Sequence, residues 1–121
     1  MIDNNILAEK SKAFGVRIVN CHKYLTTKKR EYVMSGQIYR SGTSIGANIH
    51  EGIYAQSKAD FISKLKVAQK ETGETDYWLY LLYHSDYMSE EMYQSMKKDC
   101  DELMRLLASI IKSSQSDSSH T

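Results

Sequence analysis

Residues 57–82, SKADFISKLKVAQKETGETDYWLYLL, set Phe61, Leu65, Ala68, Thr72, Thr75, Leu79 and Leu82 on one stripe at steps of three and four. A step held through that many turns predicts an amphipathic α-helix packed on its neighbours at a shallow angle. Ser57, with Asp60 three residues on, reads as its opening cap, a hydroxyl accepting from a free first-turn amide. The same step recurs upstream at Leu7, Phe14, Ile18, Cys21 and Leu25, and at Ile38, Ile45 and Ile49 with Gly42 filling the missing position. Downstream it returns at Met92, Met96, Cys100, Leu103, Leu107 and Ile110, after a start at Ser89-Glu90-Glu91. There a hydroxyl caps free amides and two acids face the positive end of the helix dipole. No proline interrupts the chain. Four helices of roughly 20–28 residues with short connections predict an all-α fold, an antiparallel up-down-up-down four-helix bundle. The bundle is expected over residues 1–112, and the last nine residues, SSQSDSSHT at 113–121, as a disordered Ser-rich tail.

A chain of 121 residues fits one domain, and 41% apolar with 26% charged residues is a globular balance. No apolar run approaches the ~20 residues of a membrane span. The opening MIDNNILAEKSKAF has no secretion-signal pattern, so a cytoplasmic protein without a membrane partner is expected. A net charge of +1 excludes nucleic-acid binding by bulk charge but leaves room for a local patch. Residues 1–32 hold seven basic and three acidic residues, and Lys23, Lys28, Lys29 and Arg30 crowd the end of the first helix and its following turn. They read either as a solvated turn or as phosphate contacts that oligomerisation would multiply. Cys21 and Cys100 stand far apart and are expected as buried thiols. No two histidines share the spacing of a helical metal pair, so neither metal nor cofactor is expected.

The second helix contains Arg40-Ser41-Gly42-Thr43-Ser44-Ile45-Gly46-Ala47-Asn48-Ile49-His50-Glu51-Gly52, a segment poor in helix formers. Gly42 and Gly46, one turn apart, permit another backbone to approach closely. A polar stripe of Gln37, Ser41, Ser44, Asn48 and Glu51 runs beside the apolar one, and Arg40 stands one turn before Ser44. A buried hydrogen-bonded network with Glu71 or Glu74 is expected, with Arg40 mostly buried and paired to Glu74 ahead of Glu71. A binding groove is the alternative. Nucleophilic catalysis is poorly supported because the stripe holds no histidine. Arg17 and His22 match the Arg-x4-His pattern of some helical ribonucleases, but an offset of five places them about 140° apart on a helix. Tyr77, Tyr80, Tyr83 and Tyr87 spread around the end of the third helix and suggest a subunit interface. The acidic stretch from Glu71 to Asp86 argues against a base-stacking platform there.

The stretch from Tyr39 to Gly52 resembles the signature of bacterial four-helix-bundle proteins encoded in 23S rRNA intervening sequences, also called the S23 ribosomal-protein-like family. The likeness continues through Ala55–Phe61, Lys70–Leu79 and Asp99–Leu103. It implies a homopentameric bundle and kinship with the accessory protein of diversity-generating retroelements, which binds nucleic acid and a reverse transcriptase. It brings no catalytic residues. The expected function is a non-enzymatic oligomeric helical module that binds RNA or an RNA-bound protein through the basic end of the first helix. The rivals are a purely structural protein–protein scaffold and a helical ribonuclease.

Overall fold

The computed structural model describes the backbone of residues 2–119 and the side chains of residues 6–116. Four helices follow one another: α1 (Ile2–Thr27), α2 (Met34–Ile53), α3 (Lys58–His84) and α4 (Glu90–Ser119). Each packs on its chain neighbours, α4 returns to α1, and among the described residues the diagonal pairs do not meet, so the helices stand on the corners of a square. The α2–α3 seam is the most extensive and the α4–α1 seam the least. This is the antiparallel up-down-up-down bundle that the four apolar stripes require.

The connections show why each helix ends where it does. α1 runs into a turn where Arg30 takes a left-handed backbone (φ 53°), and the Glu31 amide donates back to the Leu25 carbonyl at 2.9 Å. The buried Glu31 carboxylate then accepts from the amides of Val33, Met34 and Ser35 at 3.2, 3.0 and 2.7 Å. A negative charge thus satisfies the orphan donors and the positive dipole end of α2. Ser57 Oγ caps α3 by accepting from the Asp60 amide at 3.1 Å, and Ser89 Oγ caps α4 through the Met92 amide at 3.1 Å. α3 closes in a Schellman motif: Asp86 is left-handed (φ 68°), its amide donates to the Tyr83 carbonyl, and the Tyr87 amide donates to Leu82.

The predicted stripes line the core, with Phe14, Ile18, Ile45, Leu79 and Leu103 essentially without solvent. Cys21 and Cys100 are buried free thiols, as expected. The glycines of α2 have a packing reason. A Cβ on Gly42 would lie 2.6 Å from Ile18 Cδ1, and one on Gly46 would meet the Ser11 backbone oxygen at 3.4 Å. Backbone proximity between α1 and α2 offsets the poor helix propensity of this segment.

The tail expectation is corrected. α4 continues through residues 113–119, and Ser114 is fully buried. Ser114 lies four residues beyond Ile110 and three beyond Ile111, so it extends the inward stripe where a small hydroxyl suffices. Residues 120–121 of the expected tail lie outside the described residues.

Candidate functional site

Charge is divided between the two halves of the square. Positions 1–53 hold eight basic and four acidic residues, and positions 54–121 hold eight and eleven. The seams sort these charges further. Between α2 and α3, Arg40 pairs with Glu71 at 3.0 Å and with Glu74, and Lys64 pairs with Glu51 at 3.4 Å. Between α3 and α4, Lys97 reaches Asp76 at 3.1 Å. Asp76's hydrogen bond, followed by its charge, holds the Lys97 ammonium above its ordinary pKa. Between α4 and α1, Arg17 meets Asp99 at 2.6 Å and Lys10 meets Glu102 at 3.2 Å. Among the described residues no ion pair spans α1 and α2. That seam is held by small residues and by a His22–Tyr39 ring contact, edge to face at 4.8 Å.

The basic cluster lies at the end of this uncrossed seam. Lys23, Lys28, Lys29 and Arg30 are all exposed and form no ion pair among the described residues. The one acid of the turn, Glu31, is folded inward onto three amides and does not neutralise them at the surface. Tyr32 and Val33 beside them are 66% and 76% exposed. This aromatic and apolar neighbour of the cations was missed in the sequence because Tyr32 and Val33 fall in no stripe. At the opposite end of the seam a groove of about 410 Å³ is lined by, among others, Ala8, Glu9, Ser11, Lys12, Gly46, His50 and Tyr54.

The polar stripe of α2 is not one network. Arg40 is half exposed rather than mostly buried, and it bridges both Glu71 and Glu74. Its position on the helix circumference puts it at the rim, while the Glu71 side chain, 10% exposed, is the buried partner. Ser44 Oγ donates to the Arg40 carbonyl and Asn48 Nδ2 to the Ser44 carbonyl, both within the helix. Glu51 turns to Lys64. The one buried side-chain link between α2 and α3 in this stripe is Thr75 Oγ1 donating to Ser41 Oγ at 2.9 Å.

The other expectations separate similarly. Arg17 donates to Asp99 and to Ser95 Oγ on α4, while His22 faces Tyr39 on α2, so the two do not meet as a catalytic pair. Of the four expected interface tyrosines, Tyr77 and Tyr80 are exposed. Tyr83 stacks on Tyr93 at 4.5 Å, and Tyr87 follows the Schellman turn onto the core, so the fold itself occupies both rings. Burial raises the Cys21 thiol to about 11 against the opposing charge of Arg17, and raises Cys100 to about 12 with help from Asp76 and Asp101. Neither is a reactive thiolate at neutral pH. No group of metal-ligating side chains forms among the described residues, and no helix is long and apolar enough to cross a membrane.

Comparison with known proteins places this geometry. A search of curated proteins finds no match. A crystal structure of a protein with unknown function from the S23 ribosomal protein family of Bacteroides thetaiotaomicron is 54% identical. It superposes with a TM-score of 0.90, covering 91% of this chain and 98% of that one. Neither that description nor the family's names an enzymatic activity. The family profile matches residues 3–109, so the chain belongs to the 23S rRNA-intervening sequence protein family.

Proposed function

We propose that this protein is a non-enzymatic, cytoplasmic homo-oligomeric module, a pentamer, that binds RNA through the basic turn between α1 and α2. The observation that carries the reading is the inward-turned Glu31. It leaves Lys28, Lys29 and Arg30 unpaired at the surface, with Lys23 on the last turns of α1. Other surface lysines also lack an ion pair among the described residues, but these four are crowded into one turn and the last turns of one helix, with their one neighbouring acid folded inward. A ring of copies would present the cluster several times on one end, raising the local field and the avidity for a polyanion.

The test is RNA binding by fluorescence anisotropy across a salt series. Four phosphate contacts per copy on single-stranded RNA predict a slope of about −3 in log K against log salt. Lys28/Lys29/Arg30→Glu should keep the wild-type melting midpoint and lose the binding. Absence of salt-sensitive binding in the wild type, or equal binding by the variant, refutes the reading. The exposed Tyr77 and Tyr80 on α3 support assembly and, if RNA binding fails, the purely structural scaffold. Light scattering that gives the mass of a single 13.9 kDa chain refutes both the pentamer and that scaffold.

A further inference from the structure

We infer that the α1–α2 face is a track for single-stranded RNA, running from the basic turn along the seam to Tyr54; this rests on the RNA-binding reading above. Among the described residues this seam differs from the other three in having no ion pair across it: Lys10, Arg17 and Arg40 turn to α4 and α3, while Lys23, Lys28, Lys29 and Arg30 at its basic end have no ion pair. Glu9 lines the far groove too, and Lys12 beside it at 3.8 Å offsets its charge. Along the 20 residues of α2, about 30 Å at 1.5 Å per residue, exposed rings recur. Tyr32 stands in the turn, Tyr39 sits over the seam, and Tyr54 closes the far end at 75% exposure.

Two of these rings are held in place. His22 reaches across from α1 to meet Tyr39 edge-on at 4.8 Å, and His50, one turn before Tyr54, meets it edge-on at 5.1 Å. A ring propped this way loses little freedom when a base stacks on it, which lowers the entropy cost of binding. Between Lys12, Ser11, Gly46 and Tyr54 the groove of about 410 Å³ has room for a base turned out of a strand. Its floor is low because Gly46 lets α1 and α2 approach at Ser11. Cations at the two ends of a shallow channel, the basic turn and Lys12, with aromatic platforms between them are an arrangement suited to single strands. A duplex keeps its bases stacked inside and cannot use the rings.

Anisotropy would compare a short fluorescein-labelled RNA with the same strand annealed to its complement, using the full chain. The single strand should bind more tightly than the duplex. Tyr54→Ala should weaken it about five-fold or more, and Tyr54→Phe should keep wild-type affinity, because stacking needs the ring and not the hydroxyl. Tyr39→Ala should behave like Tyr54→Ala, with Tyr39→Phe as its control against a folding defect. Equal binding of duplex and single strand, with the alanine variants at wild-type affinity, overturns the track while leaving the basic turn as the binding site. Loss of all salt-sensitive binding in the wild type overturns the underlying reading as well. A Tyr54→Ala protein that changes mass in light scattering would instead assign this face to a second copy and overturn the track.

Discussion

Replacing Gly42 by alanine tests the close approach of α1 and α2 most directly. The added Cβ would lie 2.6 Å from both Cδ1 and Cγ1 of Ile18 and 2.9 Å from its Cγ2. Ile18 has no solvent exposure, so it cannot swing outward to make room. Overpacking of this kind costs about 1–3 kcal/mol. Alanine recovers about 1 kcal/mol of helix propensity over glycine. The balance is a net loss of up to about 2 kcal/mol, a melting midpoint lower by up to roughly 10 °C. Gly73→Ala is the internal control, because its Cβ meets nothing closer than Met104 Cε at 3.8 Å. There the propensity gain stands alone, and stability should rise by about 0.4–1 kcal/mol. Both proteins would be melted by circular dichroism at one protein concentration, so that any self-association shifts both midpoints alike by mass action. Ile18→Ala in the Gly42→Ala background should show a coupling that partly cancels the two single losses. A Gly42→Ala protein stabilised as much as Gly73→Ala refutes the packing argument.

Arg40→Ala removes a half-exposed guanidinium but leaves Glu71 nearly buried, so urea denaturation should show a loss of about 1–2 kcal/mol, and Glu71→Gln in that background should restore part of it. Glu31→Ala frees three amides at the start of α2 and should cost about 0.5–2 kcal/mol, read by the same denaturation. The native thiols of Cys21 and Cys100 should resist Ellman's reagent at pH 8 and react fully in guanidinium. Because burial raises their folded values to about 11 and about 12, the unfolded chain loses its thiol protons first. Stability should therefore fall as pH climbs above the ordinary thiol value of about 8.5, and a melting midpoint unchanged up to pH 10 would contradict this.

The apolar stripes carried the fold because a 3–4 step leaves few other ways to bury Leu65, Ala68, Leu79 and Leu82 together. The caps at Ser57 and Ser89 were legible for a similar reason, since a hydroxyl before a helical run has one local use. Residues whose role depends on distant partners were not. Glu31 follows three cations, and the left-handed turn at Arg30 folds its carboxylate back onto α2. The expectation of a buried hydrogen-bonded network puts Arg40 inside, but it stands at the rim with its guanidinium half exposed. The Ser-rich end of the chain was judged by composition, whereas periodicity, which continues through Ser114, was the better guide. The basic turn was visible as a charge cluster. Its freedom from partners was not, because that depends on where every acid in the fold is spent.

The least extensive seam of the square is also the one that joins the two ends of the chain. Arg17 and Asp99 are 82 residues apart, whereas Arg40 and Glu74 across the α2–α3 seam are 34 apart. Closing the longer loop costs about 0.8 kcal/mol more in chain entropy, with fewer contacts to repay it. The central hairpin should therefore form first and the α4–α1 seam last, and native-state hydrogen exchange should find α1 and α4 opening together ahead of α2 and α3. An open seam bares Phe14 and Ile18 on one side and Leu103 and Leu107 on the other. Were copies of the chain to assemble as proposed, that is where one molecule's α4 would be traded for another's.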